Sequence, residues 1–177
     1  MPVLVSDAGP LIHLAQIKKL YLLKHLFKQV VITSSVKREA YDDDIKLGHL
    51  DAQIIGKAIE EKWIIVENIP KKLASASKKL TEDENISKAD AETLLFAKER
   101  KAEFLVDEKA LSTLAKMFGI KTWNTWTVLL EGLRKDFIKL ADIEAAIKEL
   151  GERRHKLKEK QAAQILEAAK VILQKRG

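Results

Sequence analysis

Val3-Leu4-Val5-Ser6-Asp7 near the amino terminus and Ala102-Glu103-Phe104-Leu105-Val106-Asp107 far downstream share one design: a short apolar run closed by a carboxylate. Short apolar runs of this kind, separated by helical periodicity, read as strands of a parallel sheet covered on both faces. If the two runs are parallel neighbours, Asp7 and Asp107 project into the crevice at the carboxyl edge of the sheet, where such folds place ligands. Two further acids stand at element junctions. Glu39 follows Val30-Val31-Ile32-Thr33-Ser34-Ser35, and Asp90 follows Ile86-Ser87-Lys88-Ala89, each in the first turn or so of a helix. Anions gathered in one crevice repel one another, and a hard divalent cation such as Mg²⁺ removes that penalty. The pattern therefore points to a metal-dependent hydrolytic site.

The rest of the chain fills in around these anchors. Gly9-Pro10 is a helix start, since proline tolerates the first helical turn. Leu11, Leu14 and Ile17 form one stripe; Leu20, Leu22, Leu23, Leu26 and Phe27 form a second. Val30-Val31-Ile32 is a buried strand, and Ser34 or Ser35 is placed to cap the helix holding Val36, Glu39 and Ala40. Asp42-Asp43-Asp44 reads as an acidic loop, a solvated turn before a metal ligand. A helix over 47–62, a strand at Trp63-Ile64-Ile65-Val66, a helix over 70–80 and a polar connector Thr81-Glu82-Asp83-Glu84-Asn85 follow. The second half gives a helix from Ser87 and the strand ending at Asp107. A helix closed by Gly119, a strand at Ile120-Lys121-Thr122-Trp123 and a further helix to Arg134 come next. From about Lys139 onward only helical periodicity remains, with Gly151 as the divider.

The 177 residues carry 46% apolar and 33% charged side chains, which suits one globular domain with a dense ionic surface. There is no cysteine, so disulfides and thiolate metal sites are excluded and a reducing compartment is expected. No apolar run is long enough to span a bilayer, and a strand begins almost at once; both point to a cytoplasmic address without membrane association. A net charge of +6 and a pI near 9.3 suit a polyanionic partner. The same lysine- and glutamate-rich surface also fits thermophile ion-pair chemistry.

With these motifs in place, the chain resembles the PIN-domain ribonucleases, the fold of VapC-type toxins. It is most similar to a prokaryotic PIN-like branch that opens on a strand ending Ser-Asp-x-x-Pro-Leu-Ile. The residues that carry the resemblance are Ser6-Asp7-Ala8-Gly9-Pro10-Leu11-Ile12, Ile32-Thr33-Ser34-Ser35-Val36-Lys37-Arg38-Glu39, Ser87-Lys88-Ala89-Asp90 and Phe104-Leu105-Val106-Asp107-Glu108. They run in unbroken order over roughly residues 3–138. The resemblance implies a three-layer α/β/α sandwich around a central, mainly parallel sheet, a PIN-like domain over 1–138. A helical extension over 139–177 would pack on the domain or on a dimer partner. It also implies Mg²⁺- or Mn²⁺-dependent cleavage of RNA as an endoribonuclease, a toxin role with an antitoxin protein as partner, and a homodimer. The alternative is a catalytically weak PIN-like module that binds RNA or protein. Two departures stand out: Ala89 and Asp90 replace the usual Gly and Glu, and Asp107 and Glu108 compete for the fourth acid.

Asp7, Glu39, Asp90 and Asp107 are accordingly the expected metal-binding and catalytic residues, with Glu108 as the alternative to Asp107. Each has a plainer reading. Asp7 could cap its helix, Glu39 could satisfy a helix dipole, and Asp90 with Ser87 resembles a capping box. Asp107 is preferred to Glu108 because it directly ends the apolar run. Glu92 lies on another helix face. Ser6 and Thr33 are placed to orient a carboxylate or a water. His13 reads as a core-facing structural residue, and Trp123 and Trp126 as packing aromatics rather than base-stacking ones. Arg153-Arg154-His155-Lys156 with Lys158 reads either as a phosphate-tracking patch or as a solvated helix junction.

Overall fold

A computed structural model describes residues 1–153 and 155–176, with the side chain of Asp44 left aside. Among these residues, the strands β1 (Val3–Ser6), β2 (Gln29–Thr33), β3 (Ile64–Glu67), β4 (Glu103–Leu105) and β5 (Thr122–Trp123) form one sheet in the order β3-β2-β1-β4-β5. Every pairing is parallel; β1 lies at the centre, with Val5 opposite Val31 on one side and Phe104 on the other. The order reverses at β1, so the crevice between β1 and β4 is the switch point of the sheet.

Successive strand residues point to opposite faces, and the chain supplies an apolar residue to each. Leu4, Val30, Ile32, Leu105 and Ile64 face one core. Its helices include α1 (Ala8–Gln16), α2 (Tyr21–Leu26), α5 (Leu50–Glu60) and α9 (Thr125–Arg134). Val5, Val31, Phe104 and Val106 face the other, under α7 (Lys88–Glu99) and α8 (Lys109–Met117). The expected three-layer α/β/α sandwich is present.

The helix expected around Val36, Glu39 and Ala40 is present, and it continues through Asp42-Asp43-Asp44, where a loop was expected. Helix α3 (Ser34–Lys37) runs into a π-helical turn, Arg38–Asp42, and then into α4 (Asp43–Ile45). Asp42 is held by Lys37 at 3.2 Å, which lets the acidic run continue the helix instead of repelling itself out of it. The cap of α3 is Thr33, whose hydroxyl accepts from the Val36 amide, and neither Ser34 nor Ser35 serves. The polar connector at 81–85 is also mostly helical: α6 spans Ala74–Glu84, and Asn85 ends it in a left-handed conformation (φ 53°) that asparagine tolerates. Gly119 closes α8 with φ 76°, as its position predicted.

The last two helices, α10 (Leu140–Glu152) and α11 (Glu159–Arg176), pack on the α9 side of the same chain. Helix α10 runs through Gly151 to Glu152, so the break between them comes after that glycine and not at it. Ile143, Ala146, Leu150 and Ala169 are buried in the same core as β1 and α1, while Ile147, Ile165, Leu166, Ile172 and Leu173 pack against it partly buried. Arg176 fastens the far end, donating to the Leu133 carbonyl and to Asp136 at 2.7 Å each. No helix among the described residues is long and apolar enough to cross a membrane.

Candidate metal centre

Asp7 follows β1 directly and occupies the cap position of α1, but makes none of the side-chain hydrogen bonds of a cap. Its carboxyl pKa is raised from the ordinary 3.8 to about 7. Burial is the main cause, opposed by the Ala8 amide and reinforced by the charges of Asp90, Glu39 and Asp107. The charges of the other three acids named from the sequence thus reach Asp7, each from a different element.

Asp90 stands in the first turn of α7. Its amide donates to Ser87 Oγ at 3.0 Å, yet no return bond from the Asp90 carboxylate to Ser87 is formed, so the capping box is half-built and the carboxylate stays with the cluster. Glu39 is exposed and sits in the π-helical turn Arg38–Asp42. A π-turn inserts a residue and re-aims the side chains around it, which is why such turns recur at functional sites. Glu92 pairs with Lys88 at 3.8 Å, outside the cluster.

Asp107 is the most firmly held. The Thr125 amide donates to Oδ1 at 2.7 Å, the Thr125 hydroxyl to Oδ2 at 2.6 Å, and His13 Nδ1 lies 2.6 Å from Oδ2. Thr125 is the first residue of α9 and fully buried, so the carboxylate also rests at a positive helix end. Burial pushes the Asp107 pKa up, but these hydrogen bonds outweigh it and the net shift is downward. Asp107 is therefore a fixed anion and Asp7 a proton-sharing one. Neighbouring Glu108 is exposed at the cap of α8; it lines the same crevice, while the charge felt at Asp7 is that of Asp107.

Three residues of this crevice were not named as site residues. His13, read from the sequence as core-facing, turns toward Asp107 instead. Thr125 was passed over between two tryptophans. His155, from the α10–α11 junction, stacks on His13 with ring centroids 3.9 Å apart. Burial, then the neighbouring His13, lower the His155 pKa against the pull of Asp107, so the ring favours its neutral form. The spacing of Pro10 and His13 on α1, one turn apart and on the side of the helix that starts at Asp7, was the available signal for His13. The hydroxyls expected to orient carboxylates do other work: Ser6 Oγ donates to the Asp7 backbone carbonyl, and Thr33 caps α3. Trp126 is buried, while Trp123 donates to Glu103 at 2.7 Å and meets Phe27 edge-on, so both pack as expected. Arg154 lies outside the described residues, and Arg153 lines a separate hollow with His49 and Asp51.

Carboxylate oxygens are the donors a hard divalent cation takes, and the charges of three acids add to burial in raising the Asp7 pKa. Among the described residues no three of these acids bring oxygens within 4.8 Å of one another, so the set would have to draw in around an ion.

A family model described as a PIN domain, DUF3368, matches residues 3–171, and the chain belongs to that PIN-domain family, whose fold is that of nucleases. The match takes in α10 and nearly all of α11, well past the 3–138 stretch of the sequence motifs. No curated protein matches the chain. Among solved structures it is similar to PAE2754 from Pyrobaculum aerophilum, at 16% identity and a TM-score of 0.53, covering 73% of this chain and 88% of that one. It is also similar to a PilT N-terminus domain protein, SSO1118, from Sulfolobus solfataricus P2. That match has 20% identity and a TM-score of 0.46, with 74% and 93% coverage. At such identities the first of these supports the fold alone.

Proposed function

We propose that this protein is a metal-dependent endoribonuclease that hydrolyses RNA phosphodiester bonds at the crevice between β1 and β4. The observation that carries the reading is that Asp90, Glu39 and Asp107 lie near enough to Asp7 for their charges to add to burial in raising its pKa to about 7. Asp7, Asp90 and Asp107 would hold Mg²⁺ or Mn²⁺, with Glu39 completing the set. Such an ion supplies charge neutralisation at a phosphate and acidifies a water in its coordination sphere. The chain's own part is positional. His13 and Thr125 fix Asp107, and the end of β1 fixes Asp7. The basic surface, with a net charge of +6, would hold RNA through its phosphates and give little base readout.

The test is cleavage of a fluorogenic RNA in Mg²⁺ or Mn²⁺ by wild type and by Asp7→Asn and Asp90→Asn. Loss of turnover in both variants, with RNA binding kept, is the expected result. RNA binding without turnover in the wild type would instead favour a binding module. A toxin role with an antitoxin partner and a homodimer belong to the same proposal; co-purification with the product of an adjacent gene and light scattering test them. The partly buried Ile165, Leu166, Ile172 and Leu173 of α11, with exposed Val171, would supply the dimer's contact surface.

A further inference from the structure

We propose that His13, Asp107 and His155 form a second, nitrogen-containing metal site that takes a divalent transition ion such as Zn²⁺ or Co²⁺ in preference to Mg²⁺. The inference rests on the acid-cluster reading only in that the two sites share Asp107.

The three residues come from α1, from the end of β4 and from the α10–α11 junction, and each offers a ligand atom within 4.8 Å of the others. All three are partly buried. His13 and Asp107 are already paired at 2.6 Å, so two of the three ligands stand together before an ion arrives. His155 Nε2 is buried without a hydrogen-bond partner. A buried polar atom left so costs stability unless something else satisfies it, and a metal ion can.

The aromatic packing around His155 sets what must move before it can act as a ligand. One face lies on His13 at 3.9 Å, and Trp126 lies nearly parallel (4°) with its centroid 6.1 Å away. Rings stacked this way hold their in-plane nitrogen lone pairs in nearly parallel planes (22°), so coordination of one ion by both histidines requires one imidazole to turn out of the stack.

Ligand chemistry decides the ion. Mg²⁺ favours all-oxygen surroundings and keeps its waters, as Mn²⁺ also prefers oxygen, whereas imidazole nitrogen suits later transition ions such as Zn²⁺ and Co²⁺. Two histidines and one carboxylate, with further positions left to water, make the ligand composition of open zinc sites. The crevice that this site borders is also lined by Asp7, Pro10 and Glu108, so an ion there would face the same substrate space as the acid cluster.

Co²⁺ is the probe, because its visible absorption reports ligand type and geometry. Full-length wild type, His155→Phe and Asp90→Asn are titrated with Co²⁺ and, separately, with Mg²⁺ by calorimetry. His155→Phe keeps a stacked ring and removes the nitrogen; a thermal melt confirms its fold, and His155→Gln serves if it does not fold. The expected result is a Co²⁺ spectrum with histidine nitrogen in wild type. Affinity should fall by at least about tenfold in His155→Phe, a loss that even an outer-sphere partner produces at metal sites. Mg²⁺ binding should be unchanged in that variant. Asp90→Asn is expected to do the reverse. Wild-type Co²⁺ affinity and spectrum in both histidine variants would overturn the proposal while leaving the acid cluster intact. A wild type that binds Co²⁺ through histidine but no Mg²⁺ would support this site and count against the acid cluster.

Discussion

Replacing Asp7 by Asn in metal-free protein should make the fold more stable, not less, and only above mildly acidic pH. With a folded pKa near 7 against 3.8, the native state holds a proton on Asp7 that the unfolded chain gives up. Stability attributable to this group is therefore greatest below pH 4, declines as pH rises toward 7, and is flat above that. Three units at about 1.36 kcal/mol each set a ceiling of about 4 kcal/mol. Water penetration and relaxation in a partly open crevice, together with the lost Ala8 amide contact, reduce this to about 1–2 kcal/mol. For a chain of this length that is a rise in Tm of about 2–8 °C at pH 8 in chelator, vanishing near pH 4. Calorimetric scans of both proteins at pH 4, 6 and 8 measure it. Added Mg²⁺ should then invert the order at pH 8, because only wild type gains from the ion. An Asp7→Asn protein less stable than wild type at pH 8 in chelator would show that the carboxylate supports the fold, and the argument from mutual repulsion would be lost.

Thr125→Val removes the hydroxyl bond to Asp107 and keeps the volume; a loss of about 1.5–3 kcal/mol is expected for a bond to a charged group. The Asp107 pKa is depressed, so that stabilisation is present at neutral pH and fades as pH falls through the folded pKa; urea melts at pH 7 and in acid should show the difference shrinking. Gly56→Ala sets a Cβ 2.5 Å from the Tyr41 ring, in the same π-helical turn as Glu39. Overpacking should cost about 1–3 kcal/mol and weaken Mg²⁺ binding, read by a thermal melt and calorimetry; unchanged values would mean the turn yields freely. Leu150→Ala, at a fully buried position of α10, should cost about 2–5 kcal/mol in a denaturant melt, and a cost under about 1 would show that the extension is loosely attached.

Much of this molecule could be read from the chain because its signals are local. The runs ending at Asp7 and Asp107 are short, apolar and acid-tipped, and parallel pairing of β1 with β4 needs nothing more to bring those acids to one edge. Glu39 and Asp90 followed from the same logic applied to helix starts. What escaped notice depends on rotation and return. His13 and Asp107 are 94 residues apart, and whether a histidine on an amphipathic helix turns inward or toward a crevice is a matter of a few tens of degrees. His155 reaches the site only because the α10–α11 junction folds back, and no periodicity marks a junction. The π-helical turn was equally hidden, since one inserted residue leaves no compositional trace; three adjacent aspartates looked like a loop until Lys37 was seen beside Asp42.

The central position of β1 has a consequence for how the molecule is made. Val5 can pair with Val31 soon after both leave the ribosome, but its other edge waits for Phe104, across a long excursion through β3, α6 and α7. Closing that interval is entropically costly and comes late in folding. Asp7 and Glu39 emerge with the early half, Asp90 and Asp107 with the late half, and His155 after all of them. A chain in which β1 has paired only with β2 thus holds half of the acids, and the crevice is complete only once β4 has joined the other edge of β1.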